Sequence, residues 1–329
     1  MIKKFAIIGL GSIGTRHLRL ARALLPKSKI AIVRSGCGEN SDEEKNADII
    51  FYSLDDAIKW GIEAAVIANP AIFHIKQSIA LMGKNIHILV EKPLSHSIEE
   101  INQLQIAQKK SNSIGLMGYC LRFSPDAKKF KEILMDERIG QILHVQVECS
   151  SYLPFWRKGK DYRKSVSARS DLGGGVLLEL SHEIDYINWF FGEMKSVYAK
   201  TQNSGTLDID VEDSAELIFE SKQGYLISVH LDFNSIYPTR KCTVRCSKGN
   251  LIWDVLENKV SCDFEDGSQE EKIYENEPDY IYNEQLKHFF DCIKNKKQPL
   301  VSLEDGVVVL KMIEYAKKSN LTSKNVLIR

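Results

Sequence analysis

The chain has 329 residues, 43% of them apolar and 27% charged, the proportions of an ordinary globular protein with length for about two domains. Its 44 Lys and Arg balance 44 Asp and Glu, which argues against a binder of nucleic-acid phosphates, since such surfaces carry a basic excess. No apolar run approaches the ~20 residues of a membrane span, and Phe5–Ile8 runs straight into a glycine loop, so neither a membrane partner nor a cleavable leader is expected.

Phe5-Ala6-Ile7-Ile8 reads as a buried parallel strand. It meets Gly9-Leu10-Gly11-Ser12-Ile13-Gly14, a GxGxxG loop, and a helical pattern follows from Thr15 to Leu25. That context is what the dinucleotide fingerprint requires. Gly9 permits the tight turn, Gly11 lets the backbone approach a pyrophosphate, Gly14 allows close helix–strand packing, and the helix start at Ser12 and Ile13 faces the anion. A second apolar run, Lys29–Val33, ends about twenty residues after the loop. An Asp or Glu normally stands there to accept from the ribose 2′-hydroxyl of NAD. Here Val33-Arg34-Ser35 puts a cation in its place. Arg34 can pair with a 2′-phosphate and Ser35 can add a hydrogen bond, so NADP is favoured over NAD. The other reading of Arg34 is a solvated surface charge.

Ile49–Tyr52 and Leu54–Lys59 read as a strand and a short helix, and Glu63–Ala68 as another buried strand. The last ends in Asn69-Pro70, a turn signal at a strand's carboxyl end, with His74 close behind. Ligands of doubly wound sheets sit outside those ends, so Asn69, Pro70 and His74 are candidates to line a cofactor cleft. His74 reads equally well as a cap or packing group for the helix Ile75–Met82. Ile86–Val90 is the next strand, and Glu91-Lys92-Pro93 ends it. A Lys held at a strand end by a rigid Pro can offer a point charge to an alkoxide or carbonyl oxygen. Ile98–Lys110 reads as a helix and Ile114–Gly118 as the last strand of a first domain. Arg122-Phe123-Ser124-Pro125 is a helix-entry turn.

In the second half Ile142–Cys149, Ser196–Thr201, Ala215–Phe219, Tyr225–Phe233, Cys242–Cys246 and Asn250–Val255 show strand patterning with Gly-containing turns, the signature of antiparallel pairing. Between the first two lies Tyr152–Asp185. Trp156 and Tyr162 can stack on a sugar face. Arg157, Arg163 and Arg169 can hold a carboxylate or phosphate, or else form a solvated basic loop. Gly173-Gly174-Gly175 then turns into a helix on which Glu179, His182, Asp185 and Tyr186 recur at three- and four-residue steps and share one face. His182 has the ordinary pKa of a base near neutrality. Tyr282–Ile293 and Asp305–Lys317 are amphipathic helices, with Val307–Leu310 expected to be buried. The cysteines Cys37, Cys120, Cys149, Cys242, Cys246, Cys262 and Cys292 are an odd, scattered set. They point to free thiols in a reducing cytoplasm and to no metal site.

Taken together, the Gly9–Gly14 loop, Asn69-Pro70 with His74, Glu91-Lys92-Pro93, Gly173-Gly174-Gly175 followed by His182 and Asp185, and Leu303-Glu304-Asp305-Gly306 resemble the glucose–fructose oxidoreductase/inositol dehydrogenase/MocA family over nearly the whole chain. The resemblance implies an α/β chain: a Rossmann domain, residues 1–120, then residues 121–329 as a substrate-binding α/β domain with a large, mostly antiparallel open sheet. It implies hydride transfer between NAD(P) and a secondary hydroxyl or ketone of a sugar, sugar acid, cyclitol or nucleotide-linked sugar. It also implies Tyr119 and Arg122 facing the cleft, and a homo-oligomer, dimer or tetramer, through the sheet. On this reading His182 takes the hydroxyl proton, Lys92 stabilises the oxygen, and Asp185 orients the imidazole, with Glu179 either joining it or only capping the turn. One departure touches Glu179: many members place an acid four positions before the His, whereas here a Glu stands three before it. Two rival readings are a redox-neutral NAD-dependent glycosidase of the same family and a non-catalytic dinucleotide-binding protein.

Overall fold

The computed structural model describes residues 2–36 and 41–328, so Cys37 lies outside the described residues. The chain divides into two compact units, residues 1–120 with 279–310, and residues 121–278 with 311–329.

The apolar runs of the first unit become a parallel sheet. Its elements in chain order are β1 (Lys4–Ile8), α1 (Ser12–Leu24), β2 (Lys29–Val33), β3 (Ile49–Phe51), α2 (Leu54–Trp60), β4 (Ala64–Ile67), α3 (His74–Met82), β5 (His87–Val90), α4 (Ile101–Lys110) and β6 (Gly115–Met117). The strands lie in the order β3-β2-β1-β4-β5-β6, all parallel. Phe5, Ala6, Ile7, Ala64, Ala65, Val66 and Ile67 are fully buried, as strands covered on both faces must be. The strand order reverses at β1, between β2 and β4. The carboxyl ends of β1 and β4 therefore flank the switch point, where ligands of doubly wound sheets bind.

The second unit opens with α5 (Pro125–Leu134), preceded by Ser124 at the cap position with Pro125 at the first helical residue. There follow β7 (Ile142–Ser150), α6 (Val176–Glu179), α7 (Ser181–Phe191), β8 (Met194–Gln202), β9 (Ser214–Ser221), β10 (Leu226–Asp232), β11 (Thr239–Cys246), β12 (Gly249–Asp254), β13 (Lys259–Phe264) and β14 (Gln269–Ile273). With β15 (Val326–Leu327) they form a nine-stranded sheet, order β14-β13-β12-β11-β7-β10-β9-β8-β15. The pairings are antiparallel except β10 with β7. Ile227, Val229 and Leu231 point into the core while Ser228 and His230 point away, the alternation of a sheet with one covered face. The core is aromatic. Phe130 and Phe190 rings lie 4.9 Å apart, Tyr186 and Trp253 rings 5.1 Å apart, and the Trp253 indole donates to Asp126 at 2.6 Å.

Helix α8 (Tyr280–Asn295) groups with the first unit, and α9 (Leu303–Thr322) crosses the division. The sequence reading assigned residues 279–310 to the second domain. The reason for their grouping is packing: the Phe290 ring lies 5.5 Å from Phe5 of β1, and Leu303 and Gly306 sit against Gly115 and Met117 of β6. Of the run Val307–Leu310, expected to be buried, Val307, Val309 and Leu310 are buried and Val308 is half-buried. Strands β13 and β14 went unread because Lys259–Phe264 and Gln269–Ile273 lack a long apolar run, and β14 is exposed throughout.

The six described cysteines are buried thiols outside any disulfide. Burial pushes the Cys246 and Cys262 thiols up to about 11, so they are inert packing groups rather than nucleophiles. Among the described residues no helix is long and apolar enough to cross a membrane.

Candidate functional site

In the first unit the site is made by backbone. Gly9 has φ +91, and a Cβ there would lie 2.7 Å from Asn69 Cβ at the end of β4. A Cβ on Gly14 would lie 2.0 Å from the Gly9 carbonyl, so α1 starts tight against the loop. Around Gly11 the opposite holds: an added Cβ would meet nothing within 4 Å. Ser12, Ile13 and Gly14 open α1 with no side-chain cap and no acid in the first turn. Their N–H groups are left without a side-chain cap at the positive end of the helix dipole, an arrangement suited to an anion. Asn69 adds a buried side-chain oxygen, Oδ1, that meets no hydrogen-bond partner among the described residues. An empty approach at Gly11, uncapped amides and an unsatisfied amide oxygen fit a dinucleotide pyrophosphate and its ribose.

His74 is buried. Its ring nitrogens lie 2.8 Å from the Pro93 carbonyl and 2.7 Å from the Asn69 carbonyl. It therefore joins the loops after β4 and β5, and between the two sequence readings the packing one describes its contacts. Burial pushes its pKa below the ordinary value, opposed by the two carbonyls and Glu91.

The Lys92–Pro93 peptide is cis. Glu91 is buried and bonds His17 of α1 at 2.6 Å, while its other oxygen accepts from the Lys92 N–H at 3.2 Å. So Glu91 fixes the backbone from which the half-buried Lys92 extends. His17 escaped the sequence reading, although its position three residues beyond Gly14 was the available signal. Tyr282 of α8 stands edge-on to His17, its ring 6.1 Å away. Tyr119 is fully buried.

Arg34 immediately follows β2, whose last carbonyl, Val33, accepts from Gly9 N–H at 2.9 Å. It is only 8% exposed and pairs with Glu44, a residue of the 3-10 turn Asp42–Asn46. Of the two sequence readings of Arg34, a partner for a 2′-phosphate or a solvated surface charge, its burial does not fit the second; the guanidinium is engaged by a carboxylate ten residues on. Ser35 follows it at the surface.

In the second unit the site is made by side chains. The helix expected from Val176 onward is two helices, α6 and α7, broken at Leu180 with φ −96 and ψ 30. Glu179 ends α6 and His182 is the second residue of α7, so the single face expected to carry both does not exist. On α7, Ser181 and Glu183–Ile187 are buried and His182 is half-exposed. Asp185 accepts two hydrogen bonds from Arg122, at 3.0 and 2.6 Å. Both side chains are almost wholly buried, and Arg122 lies over the Trp189 ring. Arg122, which the resemblance implies faces the cleft, fixes α7 through this bidentate charge-assisted contact.

Glu183 anchors the helix from its other side. It is fully buried and accepts from Arg240 of β11 at 2.7 Å. Neither Glu183 nor Arg240 was singled out, because their pairing spans 57 residues. Gly173 takes φ +79, and the two glycines after it have a steric cause. Cβ atoms on Gly174 and Gly175 would lie 2.3 Å from the Val166 carbonyl and 2.5 Å from a Glu212 carboxylate oxygen. Burial raises the Glu212 pKa.

The loop before them is less open to ligands than its composition suggests. Arg163 pairs with Asp161 and Asp208, and Arg169 with Asp171. The Tyr162 hydroxyl accepts from Asp208 N–H at 3.2 Å. The Trp156 indole donates to Ser151 at 2.9 Å and stands edge-on to Phe233. Arg157 is half-buried. Among the described residues no cluster of side chains suits a metal ion.

Residues 3–119 match the oxidoreductase family with an NAD-binding Rossmann fold, and residues 127–252 match the GFO/IDH/MocA C-terminal domain. The chain is 26% identical to a myo-inositol 2-dehydrogenase of Thermotoga maritima, over 98% of this chain and 97% of that one. In fold it is similar to a levoglucosan dehydrogenase solved with NADH and levoglucosan, TM-score 0.87 at 18% identity over 99% of both chains. It is also similar in fold to a myo-inositol 2-dehydrogenase of Lactobacillus plantarum, TM-score 0.83 at 22% identity over 100% of both. With both of its halves matched in order, and with a parallel nucleotide-type sheet followed by a large antiparallel one, the chain belongs to the Gfo/Idh/MocA family of NAD-binding oxidoreductases.

Proposed function

We propose that this protein is a dehydrogenase or reductase that interconverts a secondary hydroxyl and a ketone on a sugar, sugar acid, cyclitol or nucleotide-linked sugar. The observation that carries the reading is the switch-point edge of the first sheet. There an uncapped helix start with open space at Gly11 lies beside the Lys92 turn braced by Glu91, His17 and His74. The names of the relatives, an inositol and an anhydrosugar dehydrogenase, support the substrate class.

A bound nicotinamide dinucleotide supplies the hydride acceptor or donor. Gly9, Gly11, Ser12, Ile13 and Gly14 hold its pyrophosphate, and Asn69, Pro70 and Glu91 line the same edge. His182 takes the hydroxyl proton as general base, and Lys92 stabilises the substrate oxygen with its ammonium. Asp185 acts through Arg122 by fixing α7, a positioning role. Glu179, on a separate helix, has no assigned step. Arg157 is the cation of the 152–169 loop proposed to meet a carboxylate or phosphate on the substrate, beside Trp156 and Tyr162.

We further propose a homo-oligomer through the open face of the second sheet. Strand registers place Lys200, Glu216, His230, Glu148, Lys241 and Asp254 in one row of alternating charge. Tyr198, Ile218, Ser228, Gln146, Thr243 and Ile252 form an uncharged row beside it. A reducing, cytoplasmic setting suits the buried thiols outside any disulfide.

The decisive test is a panel of sugars and cyclitols assayed by the near-ultraviolet absorbance of reduced nicotinamide. Lys92→Ala and His182→Ala should each lower kcat by about 10²- to 10⁴-fold while dinucleotide affinity stays near wild type. Full turnover in either variant removes that residue from the chemistry. Product formed without net change in reduced nicotinamide would instead identify a redox-neutral glycosidase.

A further inference from the structure

The end of β2 lacks the acid that reads an adenosine ribose, yet an acid stands there all the same. Val33 receives the Gly9 N–H, so Arg34, the next residue, adjoins the glycine loop. The Arg34 guanidinium is held by Glu44 Oε1, and that same oxygen accepts from the Ser41 N–H at 3.0 Å. Glu44 is thus doubly fixed, by an ion pair and by the capping box of its own turn. The turn is itself tied to α1, where Arg22 donates to the Asn46 carbonyl at 2.9 Å. Glu44 Oε2 accepts no hydrogen bond from a described residue.

We propose that Glu44 is the specificity-determining residue for the cofactor: delivered to the end of β2 by Arg34, it accepts from the adenosine ribose 2′-hydroxyl and makes the protein NAD-selective. The proposal rests on the dinucleotide-binding reading above and deepens it. The physical argument is charge. A ribose hydroxyl can donate to the carboxylate, whereas the 2′-phosphate of NADP brings a dianion against it, and like-charge juxtaposition is strongly unfavourable. Arg34 cannot offset this fully, because its positive charge is already matched by Glu44 across a short contact. Remove the carboxylate and the repulsion goes with it, while a guanidinium, the group type that a phosphate accepts, remains beside the site. The pairing explains why a cation occupies the acid's place in sequence: it positions an acid that arrives from elsewhere in the chain.

The test is a direct binding titration without sugar, following nicotinamide fluorescence for NADH and NADPH on the full chain. Wild type should bind NADH at least about tenfold more tightly than NADPH. Glu44→Gln, which keeps the shape, and Glu44→Ala should each move the ratio towards NADPH by about tenfold or more. Adding Arg34→Ala to Glu44→Ala should erase that gain. A wild type that prefers NADPH, or a ratio unmoved in both Glu44 variants, overturns the inference and leaves the dinucleotide reading standing. A wild type that binds neither nucleotide overturns that reading, and the inference falls with it.

Discussion

The two units hold their candidate functional groups in different ways. In the first, the groups are main-chain amides and carbonyls at strand ends, placed by the sheet and by glycines that admit no side chain at Gly9 and Gly14. In the second, the half-exposed His182 rides on a helix clamped by two ion pairs, the buried Arg122–Asp185 and the half-buried Arg240–Glu183. Backbone sites tolerate no added atom. Side-chain sites tolerate no lost partner. Substitutions can therefore tell the two constructions apart.

The largest effect is expected from Gly14→Ala. Its Cβ would lie 2.0 Å from a backbone carbonyl, which no rotamer relieves, so the loop must shift by an ångström or more. Displacement of that order costs about a hundredfold where geometry is this demanding. NADH affinity should fall by at least that factor while the second unit's Trp189 and Trp253 fluorescence is unchanged. Near-normal affinity would show that the loop accommodates, and the contrast between the units would be lost.

Next comes Asp185→Asn or Arg122→Ala. Removing one partner of a buried ion pair leaves the other charge uncompensated, at a cost of about 3–5 kcal/mol. Denaturation followed by tryptophan fluorescence should show the second unit melting earlier, with NADH binding to the first retained. A loss below about 1 kcal/mol would mean that water reaches the pair, as it does at surface bridges.

These two substitutions also mark what a reader of the sequence can and cannot see. The glycine loop was legible because its signal is local: a strand, a spacing and a helix within about ten residues. Most element boundaries were legible for the same reason, through periodicity. The ion pairs were not, since Arg122 and Asp185 are 63 positions apart and neither residue type announces its partner. Arg34 was seen, but as a cation awaiting phosphate, because Glu44 lies beyond the strand that frames the fingerprint. The break at Leu180 was hidden by good helical spacing on both sides. It separates Glu179 from His182 and supplies a structural reason for their irregular spacing.

His74 is the place where the first unit does rely on a side chain, and pH probes it. Burial lowers its folded-state pKa, with Glu91 and Lys92 the charged groups that act on it. The unfolded chain takes up a proton near 6.5, and the folded chain resists. Stability should therefore fall as pH drops below about 6.5, until the folded group also titrates. His87, lowered by burial too, adds to the same slope. Melting temperature against pH should be flatter in His74→Gln than in wild type; identical slopes would mean that this imidazole does not titrate on unfolding.

The smallest effect belongs to a side-chain network facing away from the second unit's core. His230 bonds Glu216 at 2.6 Å and Asp232 at 2.9 Å. These contacts, the Asp232 hydrogen bond foremost, raise its pKa to about 9. The sign is opposite to that of His74. The stabilising contribution is complete below about 6.5, where the unfolded group is also protonated, and it is lost as pH rises through about 9. Because His230 is more than a third exposed, solvent screens the gain, so His230→Gln should barely change stability at neutral pH. An NMR titration of the imidazole should place its midpoint near 9. A midpoint near 6.5 would show that the carboxylates do not hold it, and would remove its alternating-charge row from the argument for a partner on that face.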